Sequence, residues 1–245
     1  MLHTTMGRSL AEAGFTASTD ALEHPQGFLH AISPTGTEDR TSEAKPGENW
    51  AILTQGIGIK KYPTCYCTHR AIDCMLDLVN ETPIKADEVK KITVNISDYF
   101  ATVLRNHEPD TGLSAKFSME FAMASGIVAQ RVGLRELTDE FVQRPDIQAL
   151  MRKVEIVTST EYDPELSGAA PADQVTVELA DGKTIAGEPV KRATGHASRP
   201  LTETQIFEKF ADCLDAGASD IPADVLFKRL SQIQSLSARQ ITVLQ

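Results

Sequence analysis

The chain lacks any excess of positive charge: 24 Lys and Arg stand against 34 Asp and Glu, a formal net charge of −10. Nucleic-acid binding needs clustered positive charge to meet phosphate, so no nucleic-acid partner is expected. No apolar run approaches the roughly 18 residues that cross a bilayer. The opening MLHTTMGRSLAEAG contains no signal-peptide apolar region. No membrane association is therefore expected, and the cytoplasm is the expected compartment. The four cysteines form neither a CxxC pair nor a familiar zinc spacing, so reduced thiols and no metal are expected. If their segment is extended, Cys65 and Cys67 point to opposite sides. Cys74 and Cys213 read as small core residues on amphipathic helices. GxSxG, Walker A, GxGxxG, HExxH and kinase signatures are all missing, which removes the common hydrolase, nucleotide-binding and metalloprotease readings.

What is present is an ordinary globular composition, 41% hydrophobic and 24% charged, over 245 residues, enough for a sizeable core. The stretch GIGIKKYPTCYCTHRAID, residues 56–73, organises the rest. Ile57 and Ile59 alternate with small neighbours and predict a strand into Lys60. Pro63 keeps Tyr62 extended. Thr68 is the expected N-cap of a helix whose apolar positions are Ile72, Met75, Leu76 and Val79. Such a junction is a common platform for an anion.

Helical patterns are expected from the start to Ala13, ended by Gly14, and over residues 20–27; residues 33–49 read as a surface connection. Ile92, Val94 and Ile96 predict a half-buried strand. Residues 105–116 read as a polar loop, followed by a helix with Phe117, Phe121, Ala124, Ile127 and Val128 on one face. Thr138 caps a short helix, residues 146–151 form another, and strands follow at 154–157 and at Val175–Leu179. Asp181-Gly182 predicts a type I′ turn. Thr202 and Gln205 form a capping box for a helix that Gly217 stops, and Pro222 starts a last one. The expected class is α+β: an α+β domain at 46–192, bracketed by helices at 1–45 and 193–245.

Chemistry concentrates at few positions. On an extended segment only one of Lys60 and Lys61 faces inward. His69 falls in the first helical turn, where the dipole favours a neutral ring fit for proton transfer or hydrogen bonding; Asp73, one turn on, is placed to hold it. Lys116 and Ser118 bracket Phe117 at a loop-to-helix junction, with His107 in the preceding loop. A cationic, histidine-bearing pocket on an acidic body suits a small carboxylate better than a macromolecule.

The run Lys60-Lys61-Tyr62-Pro63-Thr64-Cys65 with Thr68-His69 and Ala71-Ile72-Asp73 resembles the K-x-Y-P…T-H-x-A-I-D signature of the MmgE/PrpD family. The run Thr111-Gly112-Leu113-Ser114-Ala115-Lys116-Phe117-Ser118 is similar to that family's second motif, T-G-L-E-A-K-F-S. The family includes 2-methylcitrate dehydratase, cis-aconitate decarboxylase and iminodisuccinate epimerase. The resemblance implies an all-helical domain joined to a smaller α+β domain, a homodimer, and catalysis without metal or organic cofactor. It also implies a chain about half the family's usual length, beginning near the end of the first helical domain.

By that resemblance Lys60 is the catalytic or clamping lysine, and Cys65 stands where cis-aconitate decarboxylase has a histidine. His69 is the second catalytic candidate; Lys116, Cys65, Ser118 and His107 are substrate-binding candidates. A thiol is a poor substitute for imidazole near neutral pH, which weighs against decarboxylation of cis-aconitate. The implied activity is a dehydratase or decarboxylase type of lyase acting on a di- or tricarboxylate such as 2-methylcitrate. An epimerase of the same family, or a truncated chain with only a structural or oligomeric role, are the alternatives.

Overall fold

A computed structural model describes residues 2–33, 42–43, 45, 47–48, 50–237 and 239–240. The chain divides into two units, Met1–Trp50 and Ala51–Gln245. In the first, α1 (Leu2–Glu12) ends where Gly14 N–H bonds to Ala11 O and Phe15 N–H to Leu10 O, the paired bonds of a Schellman stop. Residues 20–27 are turns rather than the expected helix; the helix there is α2 (Phe28–Ile32), beginning only after Pro25 has been passed. Most of the connection read at 33–49 lies outside the described residues.

The second unit opens with α3 (Ala51–Thr54). Residues 56–60 then form no strand, a correction to the sequence reading: the Ile59 N–H bond to Gly195 O, 2.7 Å, is isolated. Gly195 has φ +94, and a Cβ there would sit 1.9 Å from the Ile59 carbonyl, so glycine alone permits this approach. A 3-10 turn at Tyr66–Thr68 leads into α4 (His69–Glu81). Next come β1 (Val89–Ser97), α5 (Asp98–Val103), α6 (Gly112–Ala115), α7 (Met119–Val128), α8 (Asp139–Val142), α9 (Pro145–Met151) and β2 (Val154–Ser159). Then follow β3 (Gln174–Leu179), β4 (Thr184–Ala186), α10 (Glu203–Ala216), α11 (Ala223–Leu230) and a 3-10 turn at Ile233–Ser235.

The four strands form one mixed sheet in the order β2-β1-β3-β4. β1 pairs parallel with β2, Val94 opposite Ile156, and antiparallel with β3, Val94 opposite Val175. The long crossover from β1 to β2 is what a parallel pair requires, and α5 to α9 fill it. Ile92, Val94 and Ile96 are fully buried, as their alternation predicts. The β3–β4 hairpin differs from the expected type I′ turn. Leu179 pairs with Lys183, Gly182 alone takes positive φ (+88), and Asp181 instead accepts from Lys183 N–H. A three-residue loop closed by a left-handed glycine is the alternative geometry for the same twist.

Helices α4 and α7 pack on each other and against the sheet. Ala71, Ile72, Met75, Phe121 and Met123 join the strand residues in one core, each large side chain contributing about 1.5–3 kcal/mol by burial. Helix α7 is buried on every side from Met119 to Ile127, not on one face, and Phe117 precedes it in an exposed position. Residues 105–116 are not wholly loop: Thr111 and Ser114 form a capping box that starts α6. Thr138 caps α8, and Thr202 with Gln205 box α10, as read from sequence. Cys74 is buried, but Cys213 is exposed, because α10 has no buried residue on any side. Among the described residues no helix is long and apolar enough to cross a membrane.

Candidate functional site

The turn that connects Lys60 to α4 gathers the chemistry. Thr68 does not cap α4 as expected. It takes helical angles inside the 3-10 turn, and its hydroxyl donates to Cys65 O at 2.8 Å and shares a hydrogen bond with Thr64 Oγ1. The helical run therefore begins one turn earlier, and Cys65 occupies the N-terminal cap position. The chain coils after Cys65 rather than running extended, so the alternation that would set Cys65 and Cys67 on opposite sides does not apply. The neighbouring Cys67 and the Lys60 charge hold the Cys65 thiol below its ordinary range, against the opposing effect of burial. The Cys67 thiol is driven up by its neighbour Cys65 and by burial. Lys60 Nζ donates to Thr64 O at 3.3 Å while its side chain remains at the surface.

His69 is fully buried, its ring edge-on to Tyr62 at 5.2 Å and tilted against Tyr66 at 5.0 Å. Burial lowers it to about 4, so the ring is neutral; the charges of Lys60 and Lys209 act in the same direction. Nε2 lies 3.4 Å from the Thr64 carbonyl, an acceptor, so Nε2 bears the proton and Nδ1 presents a lone pair with no partner among the described residues. Asp73 does not hold this ring. Its carboxylate accepts from Tyr62 Oη at 2.6 Å and Thr194 N–H at 2.6 Å, with Arg199 at 3.4 Å and Lys61 at 3.9 Å. Tyr62, Lys61 and the turn near Gly195 are thus tied to α4 through one buried carboxylate. A second tie, Arg70 to Asp173, is buried and two-pronged, and Arg70 also donates to Ala170 O.

The Lys116 segment reaches the same turn through its backbone: Cys65 N–H donates to Lys116 O at 2.8 Å. Lys60, Cys65, His69 and the main chain of Lys116 are consequently brought together. Ser118 caps α7, and its buried hydroxyl donates to Glu120 Oε2. His107 shares a 2.7 Å hydrogen bond with Glu120 and faces a separate hollow of about 180 Å3 with Gln148 and Arg152. His107 and Ser118 are therefore linked to each other rather than to Lys60.

A hollow of about 630 Å3 adjoins the motif between Lys61-Tyr62-Pro63, residues 130–135 and α10. Arg131 and Arg135 pair there with Asp212 and Asp215. Sequence reasoning favoured Lys60 over Lys61, yet Lys61 is the more enclosed of the two and lines this hollow. Lys61, Tyr62 and Arg199 were missed. The available signal was Asp73, a carboxylate on the buried stripe of α4 with no same-helix partner.

The profile of the MmgE/PrpD C-terminal domain matches residues 62–226. A cis-aconitate decarboxylase of Aspergillus terreus is 25% identical over 225 residues, covering 84% of this chain and 44% of the relative. The cis-aconitate decarboxylase of Aspergillus terreus strain NIH 2624 / FGSC A1156 matches to the same extent. The chain thus spans less than half the length of these curated relatives. With the family profile over most of its length, the chain belongs to the MmgE/PrpD family.

Proposed function

We propose that this chain supplies the lysine and thiol of a lyase site acting on a small di- or tricarboxylate through side-chain acid–base chemistry. The observation that carries the reading is the Cys65 N–H bond to Lys116 O, which joins the two motif segments at one half-exposed turn. In this reading Lys60 clamps a substrate carboxylate and stabilises the enediolate-like charge as a proton leaves the neighbouring carbon. Cys65 is the proton-transfer group. Its thiol, held below the ordinary range, suits it better to proton transfer than a free thiol would be. The neutral His69 ring backs the turn through Thr64. Lys116 lies across the turn from Lys60, and the working unit is a homodimer.

Because the chain spans 44% of its relatives, the assay is run on the chain alone and with the remaining part of a relative supplied in trans. A panel of di- and tricarboxylates, including cis-aconitate, 2-methylcitrate and iminodisuccinate, separates elimination, decarboxylation and epimerisation. Lys60→Ala is expected to lower turnover by about a hundredfold or more while circular dichroism is unchanged. Unchanged turnover would remove Lys60 from the site.

A further inference from the structure

The hollow of about 630 Å3 beside the motif is not used by the lyase reading, since none of Lys60, Cys65 and Lys116 lines it. Its cations are of two kinds. Arg131 and Arg135 are neutralised by Asp212 and Asp215 of α10. Lys61 and Lys209 are left over. Lys61 Nζ lies 5.1 Å from the Tyr62 ring centroid and 3.9 Å from Asp73, a carboxylate already filled by Tyr62 Oη and Thr194 N–H. Lys209, half-buried on α10, makes no hydrogen bond or ion pair among the described residues. Tyr62, Pro63, Leu76 and Phe207 add apolar surface to the same lining. Glu208 also borders the hollow, but it is exposed and its charge is screened by water. Partial burial disfavours a cation without a partner. On a chain of net charge −10, two half-buried lysines with no close carboxylate of their own call for an anion from outside.

We propose that this hollow binds a small dicarboxylate, one carboxylate on Lys61 and the other on Lys209, with its carbon chain against Tyr62, Pro63 and Phe207. Two cations on separate elements suit two separated charges better than one compact anion, which would reach a single lysine and leave the apolar wall wet. The volume lies within the range of small-molecule sites, about 300–1,000 Å3. The consequence falls on α10. That helix buries none of its residues, whereas Lys61 belongs to the segment that Asp73 ties to α4 through Tyr62. A ligand joining Lys61 to Lys209 therefore fastens α10 to the core, and its binding free energy adds to the stability of the docked helix. The site stands apart from the Lys60 turn and does not depend on the lyase reading. Because the proposed substrate has the same chemistry, the test locates the ligand as well as detecting it.

Amide exchange of the intact chain is followed alone, with succinate, glutarate or adipate, and with hexanoate, which has one carboxylate, all at equal ionic strength. At least one dicarboxylate is expected to slow exchange in α10 and in residues 130–135. In calorimetric titration hexanoate should bind on the order of tenfold more weakly, the loss of one charge-assisted contact. Lys61→Gln and Lys209→Gln should each weaken the dicarboxylate by about tenfold as well, while Lys209→Arg keeps it. Both lysines lie outside the buried core cluster, so these variants should fold, with circular dichroism as the check. Slowing confined to residues 60–69 and 116–118 would place the dicarboxylate at the Lys60 turn and overturn the proposal. Failure of all three dicarboxylates to bind, or equal affinity for hexanoate or in the Lys→Gln variants, would overturn it too.

Discussion

His69 enters the fold as a neutral ring, and its titration has a definite sign. Its folded value, about 4, lies below the ordinary 6.5 because burial disfavours the cation. Between those two values the unfolded chain binds more protons than the folded one. The stability linked to neutral His69 is therefore complete above pH 6.5 and lost as the pH falls toward 4, by on the order of 3 kcal/mol. Urea unfolding at pH 7 and pH 4.5 is expected to show this loss in the unaltered protein and a smaller one in His69→Phe, which keeps an apolar ring between Tyr62 and Tyr66. An identical pH slope in both would refute it. The position of His69 near a helix start was legible from Thr68-His69 at the head of an apolar helical pattern. Its partner was not: Asp73 lies one helical turn away, but Tyr62, Thr194 and Arg199 compete for it through contacts that only the fold creates.

At the level of elements, α4 is held by polar ties as well as by its apolar stripe. Arg70 and Asp173 are both buried and lie 103 positions apart, joining α4 to the segment that enters β3. Burial pushes the Asp173 carboxyl upward and the Arg70 guanidinium draws it back down; the two-pronged contact is that of the ionised pair. Arg70→Met strands a buried carboxylate and is expected to cost about 3–5 kcal/mol in chemical denaturation. The double change Arg70→Met with Asp173→Leu should recover much of that loss, and a double variant as unstable as the single one would count against this account. Local signals predicted these elements well where the determinant was local: Thr138, Thr202 with Gln205, Gly14, and the alternation of Ile92, Val94 and Ile96. They failed where the determinant was distant. Residues 56–60 have a strand pattern but pair with no strand, and Gly182 serves a three-residue loop because Lys183 pairs with Leu179 rather than with Ala180.

Across the molecule, burial is uneven, and stability should follow it. Burial is densest in α4, α7, β1 and β3, where Ile72, Met75, Phe121, Ile92 and Val175 are fully enclosed. Helix α10 buries none of its residues and α11 only Leu226; they meet through Phe207 and Phe210 against Phe227. Their link to residues 130–135 rests on Arg131–Asp212 and Arg135–Asp215, the second pair well exposed and so worth little in water. In the first unit, none of residues 6–33 is buried. Free energies of local opening track buried apolar contact, so amide exchange should separate these layers. Amides of α4, α7 and β1 are expected to exchange only through global unfolding. Those of α10, α11 and α1 should exchange on the order of a hundredfold faster or more, by openings that leave the sheet intact. Added salt should speed α10 slightly, through the exposed arginine pairs, and leave β1 unchanged. Protection of α10 equal to that of α4 would show that the C-terminal helices are bound to the core by more than these contacts supply.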